Sequence, residues 1–232
     1  MKTLLLLSIY FISWTAFCQS PNLVKVKVGD DPLKSIPVAE RYRYKEFLSG
    51  FVFDQNGKPT AVSKMNFQLI TGNLASISGK GDTVVMDNSD NRYLNVQVRS
   101  EYFQHTKADE YFHILMKSES VKLVSKLRWM IIRRESVENE GLRIAMSSQQ
   151  QSTRRDPTTG RVILNEDLVY SKIMSFYLMD NEENVEFVGK ASFADSFPEH
   201  KKEIKAFIND NQIDFDKEQD LRKLFRYCTS LK

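Results

Sequence analysis

A chain of 232 residues with 33 lysines and arginines against 30 aspartates and glutamates is long enough to fold around its own core. Its nearly neutral balance argues against a nucleic-acid partner, and its two cysteines argue against a disulfide framework.

The first residues, "MKTLLLLSIYFISWTAFCQS", hold one charge at Lys2, an apolar run over residues 4–12, and then small and aromatic side chains. This is the layout of a secretory signal peptide, and the run is short for a membrane span. Cutting after Cys18 sets Ala16 and Cys18 at the two small-residue positions, so residues 1–18 are expected to leave and Gln19 to become the N-terminus. Lipid attachment at Cys18 is the competing reading; Phe17 speaks against it, because a small residue normally precedes a lipidated cysteine. No second long apolar run follows, so no transmembrane span is expected, and the mature protein is assigned to the periplasm or the cell exterior. Cys228 is then the sole thiol, which leaves no internal disulfide.

Residues 19–40 contain Pro21, Pro32 and Pro37 and little pattern beyond "LVKVKV". They are expected to form an extended arm, with an edge strand over residues 23–28. Residues 41–192 are expected to form an antiparallel β domain. "KEFLSGFVFD" alternates Phe47, Phe51 and Phe53 on one face, and Asn56-Gly57 then signals a hairpin whose two central positions take positive φ. "SKMNFQLI" sets Met65, Phe67 and Leu69 on one face, and "YLNVQVR" does the same with Leu94, Val96 and Val98. "VKLVSKLRWMII" is longer, with Val121, Leu123, Leu127, Trp129 and Ile131 in register. Further strands are expected at 142–147, 169–178 and 185–188. Roughly nine short strands indicate a mainly β (α+β) fold, an antiparallel meander forming a barrel-like roll or a sandwich. "KADEYFHILMK" fits either a helix or a strand by periodicity alone.

Residues 193–232 are expected to be two amphipathic helices packed on the sheet. "SFPEHKKEIKAFIND" opens with Ser196, Pro198 and Glu199 in capping-box spacing and has Phe197, Ile204, Phe207 and Ile208 as its apolar face. "FDKEQDLRKLFRYC" opens in the same way with Asp216 and Gln219, and shows Leu221, Leu224, Phe225 and Cys228 at helical spacing.

Each candidate site has a structural alternative. "GKGDTVVM", residues 79–86, has glycines around a lysine, but a phosphate loop needs Lys-Ser/Thr after its second glycine and a helix behind it. Here a β-branched run follows, so the stretch is assigned to a strand connection. His105 and His113 are eight residues apart, about 26 Å along one strand, and no acidic or thiol cluster completes a ligand set with them or His200. Neither a metal nor a cofactor is expected. Cys228 falls on an apolar helical stripe and is assigned to the core. Arg154 and Arg155, in the polar stretch "SSQQQSTRRDPTTGR", are the candidates for anion binding. Glu182 and Glu183 are assigned to a solvated hairpin loop.

The stretches "FLSGFVFDQNGKP", "MNFQLITGNLASISGKGDTVVMDN", "VSKLRWMI", "SKIMSFYLMD" and "FPEHKKEIKAFINDNQIDFDKEQDLRKLFRYC" together resemble an uncharacterised family of exported bacterial proteins. The resemblance covers most of the mature chain. It implies a β-meander domain with a C-terminal helical pair, and a strand over residues 111–116. It supplies no activity.

Three functions remain open. The first is a non-enzymatic protein that binds a partner, an envelope component or a small ligand. The second is a carrier whose rolled sheet encloses an apolar ligand against Phe51, Phe67 and Trp129. The third is an envelope hydrolase with paired carboxylates, which can come from any part of a chain.

Overall fold

The computed structural model describes residues 23–86, 93–135, 153–155, 162–164 and 166–231, with 153–155 and 162–164 described as backbone alone. The arm contributes β1 (Leu23–Val26), a turn of helix α1 (Pro32–Ser35) and a 3-10 turn (Val38–Glu40). There follow β2 (Leu48–Asp54), β3 (Pro59–Phe67), β4 (Leu74–Ile77), β5 (Thr83–Val85), β6 (Tyr93–Val98), β7 (Glu101–Thr106), β8 (Glu110–Lys117) and β9 (Val121–Glu135). Then come β10 (Thr153–Arg155), β11 (Val162–Leu164), β12 (Asp167–Asp180), β13 (Val185–Phe187) and helices α2 (Lys190–Ser196), α3 (Lys201–Asp210) and α4 (Glu218–Ser230).

Apart from β10 and β11, which pair only with each other, the strands form one antiparallel sheet in the order β1-β12-β9-β8-β7-β6-β2-β3-β4-β5. β13 shares the outer edge of β12 with β1, the first beside Tyr177–Met179 and the second beside Leu168–Ser171. The fold is thus mainly antiparallel β with a C-terminal helical pair, but the sheet is open and does not close into a barrel. Its inner face is buried partly by the arm and the helices and partly by strands of the same sheet, as where Phe67 of β3 packs on Phe103 of β7. The arm covers Leu69, Trp129, Leu168 and Tyr170 with Val26 and Ile36. The helices cover Leu123, Phe176 and Leu178 with Phe193, Ile204, Leu221, Leu224 and Phe225. A third cluster joins Val52, Met65, Phe67, Val96 and Phe103.

The period-two pattern explains these clusters, because directly paired residues lie on one face. One inner row runs Val52, Val96, Phe103, His113, Ser125, Phe176 across six strands. Polar His113 and Ser125 sit in this row between two apolar clusters.

Three hairpins share one turn. At Asp54–Lys58, Ser78–Asp82 and Asp180–Asn184 the first residue bonds the carbonyl of the fifth, and the fourth bonds back to the first. The first side chain, Asp54, Ser78 or Asp180, accepts from the amides two and four residues on. The fourth residue is left-handed: Gly57 (φ 73°), Gly81 (φ 88°) and Glu183 (φ 70°). Asn56 therefore does not take the positive φ expected of it. A type I turn with a bulge at Gly57 replaces the two-residue turn, since Asp54 supplies the side-chain acceptor that holds it.

Two helix boundaries differ from the expectation. Ser196 ends α2, a helix the sequence pattern did not indicate, and a 3-10 turn at Pro198–His200 leads into α3. α4 starts after Lys217, not after Asp216, and has no side-chain cap. Tertiary packing sets these starts: Phe193 of α2 and Leu221 of α4 are completely buried.

Candidate functional site

The sheet has a seam between β8 and β9. From Lys117↔Lys122 to His113↔Ser125 the two strands pair, interrupted by a bulge at Leu115. Beyond that point Glu110–Phe112 stay with β7, and Lys126–Glu135 stay with β12. The segment following β3 takes over the vacated edge of β9, as Trp129 N donates to the Leu69 carbonyl at 3.0 Å.

Charged side chains bridge the gap. Lys126 and Arg128, two apart on one face of β9, both reach Oε1 of Glu110, Arg128 through Nη1 at 3.1 Å. Lys126 is buried, and its ammonium lies 5.0 Å from the Phe112 ring centre. Burial lowers its pKa against the opposing hydrogen bond and charge of Glu110.

Three hollows meet at this pair of cations. One of about 120 Å³ opens on the face of Lys126 and Arg128, walled by Met130, Ile173, Ser175 and Tyr177. One of about 160 Å³ lies towards Thr71, Gly72, Asp109 and Tyr111. The third, about 30 Å³ beside Phe67, Phe103, His113 and Ser125, is the smallest of the three.

The inner side of the seam carries a closed polar network. Arg43 grips Glu101 through Nε at 3.1 Å and Nη2 at 2.8 Å, and Tyr44 donates to the same carboxylate oxygen at 3.0 Å. Arg43 Nη2 also lies 3.2 Å from His113 Nδ1. Since a guanidinium can only donate, Nδ1 must accept and the ring proton sits on Nε2, 3.7 Å from Glu101. Burial, reinforced by the Arg43 charge, brings His113 down to about 4. For Glu101 burial acts upwards, but the charge and hydrogen bonds of Arg43 outweigh it and hold the carboxyl below its ordinary value. Burial, together with the Glu101 charge, raises Tyr44.

Ser125, His113 and Glu101 are the residue types of a hydrolytic triad, but their arrangement does not support one. Ser125 Oγ is 3.5 Å from Nδ1, and Arg43 already occupies that lone pair. Ser125 is buried, and it adjoins the smallest of the three hollows.

No protein-family model, curated protein or solved structure matches this chain.

The residues singled out from the sequence are scattered. Phe51 is exposed on the outer face; Phe67 packs on Phe103 with ring centres 4.2 Å apart; Trp129 lies in the arm cluster, its indole donating to the Glu40 carbonyl at 2.8 Å. They do not line a common cavity. Arg154 and Arg155 lie in β10, and their side chains fall outside the described residues, as does the strand expected at 142–147. In "GKGDTVVM" the Lys80 and Asp82 amides face the Ser78 hydroxyl and the Gly81 amide bonds the Ser78 carbonyl, so the turn uses these donors itself. His105 and His113 are brought together by the β7–β8 hairpin but serve different partners, Asp109 at 2.9 Å and Arg43. Cys228 is buried and its thiol is pushed up to about 12. Sequence reasoning missed Lys126, Arg128 and Glu110. Alternation places Lys126 and Arg128 on a polar outward face, and nothing local signals that the neighbouring strand departs there.

Proposed function

We propose that the protein is exported to the periplasm or beyond and works there as a non-enzymatic binding protein, with the hollows of the β8–β9 seam as its ligand site. The observation that carries this is the parting of the two strands. A sheet that loses a run of ladder bonds forgoes stabilisation, and here the gap is filled by a buried lysine, an arginine and open space in place of apolar packing. The Ser125–His113–Glu101 constellation is closed by Arg43 and Tyr44, which favours binding over turnover at this place. The leader-like residues 1–18 and the resemblance to exported proteins support the location.

Mass spectrometry under native conditions tests this on mature protein purified from its exporting host. A retained small molecule, lost when Ile173→Trp fills the hollow, is expected. Turnover of a substrate that survives in both Ser125→Ala and Glu110→Gln but disappears in Ile173→Trp would replace binding with catalysis at the same place.

A further inference from the structure

We propose that the hollow walled by Lys126, Arg128, Met130, Ile173 and Tyr177 binds a small organic monocarboxylate with a compact apolar body. This inference rests on the seam being a ligand site and names the ligand class.

Charge selects the ion. Lys126 and Arg128 share a single anion, Glu110, and converge on one of its oxygens. The three groups that line this hollow thus carry one uncompensated positive charge, which one carboxylate would balance. The larger hollow also takes in Asp109, so its lining is neutral and offers an anion no net attraction.

Donor geometry selects a carboxylate. Arg128 Nη1 is committed to Glu110, but the side chain is 34% exposed and keeps other N–H donors at the hollow. A planar guanidinium forks onto the two oxygens of a carboxylate, which favours that anion. Lys126 donates to Glu110 alone among the described residues and keeps further donors for the same anion.

The remaining walls select the body. A thioether, a branched aliphatic chain, a phenol ring and the Ser175 hydroxyl line an open hollow of about 120 Å³, close in volume to cavities that take up benzene. A single ring or a short branched chain matches that space.

Calorimetric titration with sodium benzoate, benzamide and sodium acetate is the test. Benzoate is expected to bind at least about tenfold more tightly than benzamide, which lacks the charge, and than acetate, which lacks the ring. Arg128→Met is expected to weaken benzoate by about tenfold or more, and Ile173→Trp to abolish its binding while the unfolding curve shows the fold intact. Ile173→Trp guards against a misfolded cation variant, because it leaves Glu110, Lys126 and Arg128 in place. Equal binding of benzoate and benzamide, benzoate affinity unchanged in folded Ile173→Trp, or no binding of benzoate overturns the proposal. Retention of a neutral molecule that Ile173→Trp releases would keep the seam as a binding site while removing the carboxylate.

Discussion

Arg222 of α4 donates through Nη1 to the carbonyl of Leu115, the extra residue of the β8 bulge, at 2.8 Å. A bulge frees a backbone group from its ladder, and here α4 supplies the missing partner while Glu218 holds the guanidinium at 2.7 Å. The Leu115 side chain enters the core that the helices cover, so one irregularity fixes the helical pair to the sheet twice. Arg222→Met is expected to lower stability by about 1–3 kcal/mol in urea unfolding, the cost of an unsatisfied buried carbonyl, and Arg222→Lys to restore part of it. Unfolding midpoints that match wild type would show that the contact does not hold α4.

Stability should fall in mild acid. In the unfolded chain the His113 imidazole titrates near its ordinary 6.5, and in the fold near 4, so between these values the unfolded state binds the extra proton. The contribution is complete above about pH 6.5 and is lost as pH drops towards 4, on the order of 3 kcal/mol in all. Arg43 and Arg222 oppose a charged ring, while Glu101 and Glu218 favour it. Glu101, itself held low by Arg43, extends the loss below pH 4.5. His113→Asn keeps an acceptor for Arg43 without a titrating group. Thermal midpoints of this variant should change less than wild type between pH 6.5 and 4, and parallel curves would remove His113 as the cause.

Cys228 should be silent to thiol reagents. Its burial pushes the thiol to about 12, so thiolate forms only when α4 leaves the sheet. Labelling of mature protein by an aromatic disulfide reagent should follow the unfolding equilibrium across a urea series. Rapid labelling in native buffer would contradict this packing.

The proposed export carries with it an expected cleavage between Cys18 and Gln19. Fractionation followed by N-terminal sequencing is expected to find Gln19 first in the soluble envelope or medium fraction. A lipid-modified N-terminal Cys18 would transfer the protein to a membrane surface.

The sequence made some of this legible and concealed the rest for identifiable reasons. Strand faces such as Met65/Phe67 and Val96/Val98 were readable because alternation is a local property, and Leu221, Leu224, Phe225 and Cys228 because a helix repeats within a few residues. The turn at Gly57 was located correctly but mistyped, since the choice depended on Asp54 accepting two amides. α2 was invisible because seven residues carry too little periodicity. The seam could not be read at all. Lys126 and Arg128 have the outward spacing of solvated side chains, and only the departure of β8 towards β7 turns their face into a walled hollow.

The most direct test of the seam as ligand site is methyl NMR on protein labelled at methionine and isoleucine. The signals of Met130 and Ile173, which wall the hollow, are followed as a small-molecule extract of the envelope is added. Saturable shifts at these two methyls are expected, with Ile204 and Ile208 under α3 unmoved. Saturable shifts confined to other methyls, with Met130 and Ile173 unchanged, would contradict a ligand site at the β8–β9 seam.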